Sequence, residues 1–80
     1  MKTKTTFEIL VWKNAENVQE PIYRDEYQTE EKAMRMARSI YVKNYGRVEV
    51  NRVVFNPDIP ISNVIDLALV ASWENGVRLS

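Results

Sequence analysis

Residues 29–46, Thr29-Glu30-Glu31-Lys32-Ala33-Met34-Arg35-Met36-Ala37-Arg38-Ser39-Ile40-Tyr41-Val42-Lys43-Asn44-Tyr45-Gly46, decide the fold. This is the one stretch that carries a helix start, a helical repeat and a helix stop together. Thr29 is a good N-cap, and Glu30 and Glu31 place negative charge on the positive end of the helix. Ala33, Met36, Ala37, Ile40 and Asn44 then recur at three- and four-residue spacing, which predicts one buried stripe. Lys43 in the last turn and Gly46 just beyond it end the helix, giving a span of Thr29–Asn44.

On the N-terminal side, Thr5 to Lys13 sets Phe7, Ile9 and Val11 against Thr6, Glu8 and Leu10 with period two, a strand pattern. The polar run from Asn14 to Pro21 reads as a loop. Ile22 to Tyr27 puts Tyr23, Asp25 and Tyr27 on one face, a polar edge strand that pairs with the first as a hairpin.

On the C-terminal side, Arg47 to Phe55 is strand-like but changes phase, since Val48 and Val50 differ in parity from Val53 and Phe55. A bulge near Asn51-Arg52 would return both pairs to one face. Asn56 to Pro60 is a turn. Ile65, Leu67, Leu69, Ala71 and Trp73 alternate as a strand, and Asn75-Gly76 is a strong hairpin signal ahead of Val77 and Leu79. The competing reading is a helix capped by Ser62 and carrying Ile65, Ala68, Leu69 and Ser72. The strand reading gives an α+β fold of order β-β-α-β-β: an antiparallel sheet of four strands, or five short ones, with one helix packed across one face.

The 80 residues make a single small domain, residues 1–80. Charge is balanced, 11 basic against 11 acidic residues, with 45% hydrophobic residues and few Gly or Pro, which excludes a disordered tail, a collagenous repeat and a strongly basic nucleic-acid arm. Phe7 to Trp12 is too short for a secretory leader. Val64 to Trp73 is about half of the roughly 20 residues needed to span a membrane. A cytoplasmic protein with no membrane partner is expected.

With no Cys and no His, disulfides, thiol chemistry, Cys-based zinc sites and the commonest general base are absent. Gly46 and Gly76 are the only glycines and do not form a phosphate loop. The adjacent pairs Asp25-Glu26 and Glu30-Glu31 point apart on a strand, or about 100° apart on a helix, so neither is an acid/base pair. No enzyme, no cofactor and no metal site is expected; carboxylates from distant segments meeting around Mg²⁺ or Ca²⁺ are the remaining route to a metal site.

Charge is unevenly spread. Residues 1–31 hold seven acids and four bases, whereas residues 32–52 hold six bases (Lys32, Arg35, Arg38, Lys43, Arg47 and Arg52) and only Glu49. On a helical wheel Arg35 and Arg38 lie opposite the apolar stripe, and Arg47 continues beyond the helix end. Met34, Tyr41 and Tyr45 fall within roughly 40° of one another beside the arginines. Arg35, Arg38, Tyr41, Tyr45, Arg47 and Met34 are therefore the candidate partner-binding residues, since Arg, Tyr and Met are enriched at protein interfaces. The same group could hold phosphates and stack bases. It is equally readable as a solvated helix face paired with Glu30 and Glu31, with the tyrosines wedged between helix and sheet. Trp12, opposite in parity to Phe7, Ile9 and Val11, lies either in the core or on the uncovered sheet face with Leu10, Val64 and Val70, while Trp73 reads as core.

Three classes follow: a non-catalytic module binding a protein or nucleoprotein partner, a nucleic-acid binder using the basic helix, and a self-associating subunit, such as a homodimer, built through sheet edges or the apolar sheet face. Zero net charge and a pI near 6.2 make direct nucleic-acid binding the less favoured of the first two. In size and layout, though in no motif, the chain is similar to small phage- and mobile-element-encoded α+β proteins. Anti-CRISPR inhibitors are among them. That resemblance implies inhibition by binding the protein subunits of a nucleoprotein machine. It also implies that Glu16, Glu20, Asp25, Glu26, Glu30 and Glu31 could mimic a nucleic-acid backbone.

Overall fold

Strand β1 (Lys4–Trp12) pairs on one side with β2 (Tyr23–Tyr27) and on the other with β3 (Arg47–Phe55). Beyond β3 come β4 (Val64–Glu74) and the short β5 (Val77–Arg78), giving one sheet of order β2-β1-β3-β4-β5 with every neighbouring pair antiparallel. The computed structural model describes residues 3–14, 20–59 and 64–80. Most of the loop before β2, with Glu16, and the Pro60 and Ser62 positions lie outside the described residues. The fold is the α+β arrangement expected, with five strands and one helical segment against one face.

Helix α1 (Glu30–Met36) starts as its sequence dictates: the Thr29 side chain accepts a hydrogen bond from the Lys32 N–H at 3.3 Å. It does not run on as a regular α-helix to Asn44. From Ala37 to Tyr41 the coil widens to a π-helix, and the Val42 N–H donates to the Ala37 carbonyl at 2.9 Å. The wider turn re-aims everything after Ala37. Ala33, Met34 and Ala37 are buried, with Tyr41 and Val42 packed against them, while Ile40 is turned out and 42% exposed. The expected stripe through Ile40 and Asn44 is thus corrected to one running through Ala33, Met34, Ala37 and Tyr41.

Under the helix the sheet contributes Ile9 and Val11 from β1, Val48 and Val50 from β3, and Ala71 and Trp73 from β4. Ile9, Val11, Val48 and Val50 are fully buried, each contributing about 1.5–3 kcal/mol by leaving water. Small Ala33 and Ala37 let the helix approach these branched side chains.

The phase change in β3 is not absorbed where the sequence placed it. β3 pairs with β1 without interruption from Arg47 opposite Trp12 to Phe55 opposite Lys4. The extra residues are in β4: Val50 faces Ala71 but Asn51 faces Leu69, leaving Val70 as one bulge, and Val54 faces Asp66 but Phe55 faces Val64, leaving Ile65 as a second. An insertion in β3 would break two ladders, whereas the same insertion in β4 breaks one there. Val53 and Phe55 consequently lie on the sheet face away from the helix. With Thr6, Glu8, Glu26 and Val64 they line an open depression of about 250 Å³. The alternation of β4 is split likewise, with Ala71 and Trp73 under the helix and Leu67 and Leu69 on the far face.

Residues 64–74 form a strand, not the alternative helix, and the hairpin after it is as expected. Asn75 and Gly76 have φ of 51° and 85°, the two left-handed positions of a type I′ turn. Trp73 is in the core with the Arg78 guanidinium 5.7 Å from its ring. Trp12 is on the far face yet only 8% exposed, with the Arg47 guanidinium 4.8 Å from its ring centre. Val70, expected beside it, packs against the core instead.

Candidate functional site

The widened helix end brings together a polar-aromatic group of three tyrosines and an aspartate. After Tyr41 the chain turns tightly: the N–H groups of Asn44 and Tyr45 both donate to the Tyr41 carbonyl at 3.1 Å, and the Asn44 side-chain amide donates to the Ile40 carbonyl at 2.8 Å. This turn sets Tyr45 beside Tyr41. Period-two alternation along β2 puts Tyr23, Asp25 and Tyr27 on the helix side of the outermost strand. The result is a trio. Tyr23 lies 5.6 Å from Tyr45, ring centre to ring centre and edge-on, and 6.4 Å from Tyr41, while Tyr41 and Tyr45 are 6.1 Å apart. The Tyr41 hydroxyl donates to the Asp25 carboxylate, and the Lys32 ammonium is 5.8 Å from the Tyr27 ring centre.

The phenols feel this environment. Hydrogen bonding to Asp25, together with burial and the nearby negative charge, pushes the Tyr41 pKa up to about 12. Burial, followed by the charge of Asp25, raises that of Tyr27, and a hydrogen bond with Tyr23 raises that of Tyr45. None of these groups is poised for proton transfer near neutrality. Their chemistry is that of fixed rings with hydroxyl handles.

Of the residues singled out in the sequence, the structure unites Tyr41 and Tyr45 and leaves Arg35 and Arg38 exposed on the same helical segment, without an ion pair among the described residues. It separates the other two. Met34 is 9% exposed and belongs to the core, because the stripe it lies on is the one that packs on the sheet. Arg47 points to the opposite sheet face, where its Nε donates to Glu49 at 3.1 Å and its guanidinium covers Trp12. Its position next to inward-facing Val48 on a strand was the signal for this. Tyr23 and Asp25 join the site although the helical wheel could not show them. Their alternation on β2 was legible, but which strand would lie beside the helix end was not.

Among the described residues, no three carboxylates converge to hold a metal ion, and no helix is long and apolar enough to cross a membrane. Compared with known protein families, with curated proteins and with solved structures, the chain matches none.

The Tyr41–Asp25 bond makes a pH prediction. Folded Tyr41 keeps its proton up to about 12, whereas an unfolded tyrosine releases it near ~10. Between those values the native state binds more protons, so stability is intact below about pH 10 and falls as pH rises through the window. Tyr41→Phe is expected to cost about 1 kcal/mol at neutral pH and to remove part of that alkaline fall. Urea titrations at neutral and alkaline pH read both effects. An unchanged alkaline slope in the variant would rule out the bond.

Proposed function

We propose that this chain is a non-catalytic protein-binding module that recognises its partner through the Tyr23–Tyr41–Tyr45 edge, with Arg35 and Arg38 as the charged rim. The observation that carries this reading is the trio of tyrosine rings held within 6.4 Å of one another between the outer strand, which supplies Tyr23, and the widened helix end with its following turn, which supply Tyr41 and Tyr45. Tyrosine offers a large contact area for few rotatable bonds, and rings already fixed by their neighbours lose little freedom on binding. Arg35 and Arg38, exposed and without an ion pair among the described residues, add directional donors on the helical segment that also carries Tyr41. The lack of His and Cys and the dispersal of the carboxylates support binding without chemistry. A cytoplasmic site of action goes with it. Occlusion of a protein or nucleoprotein surface, as in the small inhibitors the chain is similar to in size and layout, is the mode of action we assign.

The second reading, nucleic-acid binding, draws on the same Arg and Tyr side chains through phosphate contacts and base stacking. Arg47, which would extend that basic surface, is committed to Glu49 and Trp12 on the other face.

The test is capture from the native host lysate by the parent protein, by Arg35→Glu/Arg38→Glu and by Tyr23→Ala/Tyr45→Ala, each with and without nuclease. A discrete nuclease-resistant protein is expected with the parent. Both double variants should weaken its binding at least tenfold, about 1.4 kcal/mol, with circular dichroism unchanged. Equal capture by all three proteins would sink the proposal. Retention abolished by nuclease would transfer the site to the second reading.

A further inference from the structure

The sheet has two edges, and they are defended very differently. On the β2 edge, Arg24, Asp25 and Glu26 are consecutive charges, the usual protection against pairing with another chain. At the other edge β5 is only two residues long and pairs with Trp73 and Glu74, and backbone bonds from Leu79 and to Ser80 extend the contact to Ser72. From Val64 to Ala71 no strand pairs with the outer side of β4 among the described residues. In an antiparallel ladder every second residue turns its N–H and C=O away from the existing neighbour, so the regular part of this length, Asp66 to Leu69, presents backbone groups that an extended strand satisfies in full.

The side chains along that row narrow the occupant. Val64, Ile65, Leu67 and Leu69 are each about half exposed, Leu67 most of all at 59%, and no Lys, Arg or Pro interrupts them. The single charge is Asp66, whose carboxylate lies 3.6 Å from the Arg52 guanidinium. Between its two bulges β4 is regular from Asp66 to Leu69, opposite Val54 to Asn51 of β3.

We propose that the occupant is a second copy of this chain, joined by antiparallel pairing of β4 with β4 about a two-fold axis through Leu67. In this register Leu67 faces Leu67 of the second copy, Asp66 faces Ala68, and Leu69 lies opposite the bulged Ile65 at each end of the regular stretch. Apolar side chains therefore meet apolar ones, and each carboxylate keeps its own Arg52 without a like charge directly opposite. A register centred on Asp66 would set two carboxylates face to face. A two-fold interface needs one self-complementary patch, and this stretch supplies it. The zero net charge of the chain adds no long-range repulsion between copies. Pairing here extends the sheet to ten strands and leaves the tyrosine edge, at the far side of the strand order, open on both protomers.

Sedimentation equilibrium over a micromolar concentration series, run on the full chain, tests this. A reversible dimer is expected. Leu67→Lys, which sets two ammonium groups on the axis, should raise its dissociation constant at least tenfold without changing circular dichroism, and Leu69→Lys should do the same if the first variant misfolds. Because the chain has no cysteine, Leu67→Cys treated with an added oxidant should give a covalent dimer through the one new thiol. A strictly monomeric parent, or a dimer indifferent to both lysine variants, would overturn the proposal. Capture of a partner through Tyr23 and Tyr45 is read separately, so failure of either proposal leaves the other standing.

Discussion

Trp73→Ala is expected to leave the chain largely unfolded at 37 °C. The indole lies beneath the helix beside Val48, its cross-strand neighbour, and its outer face is covered by Arg78. Truncating a buried Trp to Ala costs about 3–5 kcal/mol, through lost burial and the cavity left behind. A chain of this size has a total stability of roughly 4–12 kcal/mol, so the loss takes a large share of it. Thermal melts followed by far-ultraviolet circular dichroism give the answer directly. Trp73→Phe, which keeps most of the ring volume, should lose much less. A Trp73→Ala variant melting within a few degrees of the parent would show that the ring is not part of the core.

The second large effect separates the helix as it is from the helix the periodicity describes. Ala37 is fully buried where the coil begins to widen, so Ala37→Leu forces extra carbon atoms between helix and sheet and should cost about 1–3 kcal/mol. Ile40 is on the solvent side, and Ile40→Ala should stay within about 0.5 kcal/mol of the parent. A regular helix through Asn44 would bury Ile40 and make its truncation cost about 2–5 kcal/mol. Paired urea titrations decide between the two. A costly Ile40→Ala would restore the regular helix.

That comparison shows which information is local. Thr29, the alternation of β1 and β2, and Asn75-Gly76 act through their nearest neighbours, and each does in the structure what its sequence indicates. The π-helical turn has no such signature. It depends on how Tyr41 and Val42 fit against the sheet, and a wheel drawn at 3.6 residues per turn buries Ile40 by construction. The bulge was half visible. The break between Val50 and Val53 announced an irregularity, but Val64, Ala68 and Val70 are as apolar as Ile65, Leu67 and Leu69, so β4 hid which residues, Val70 and Ile65, were extra. The candidate site divides in the same way. Tyr41 and Tyr45 shared a stripe that could be drawn from spacing alone, whereas Tyr23 and Asp25 reached them through strand order, which no single segment encodes.

Strand order has a kinetic consequence. The central β1·β3 ladder joins residue 12 to residue 47 and residue 4 to residue 55, whereas β1 with β2, and β3 with β4 and β5, are neighbours along the chain. Two local hairpin units can therefore form early, but zipping them together requires closure of the long intervening loop that contains the helix, an entropic cost met before any central contact repays it. The seam between β1 and β3 is where the barrier to folding should sit, and side chains along it, Ile9 and Val50 foremost, set how fast this chain folds rather than only how firmly it stays folded.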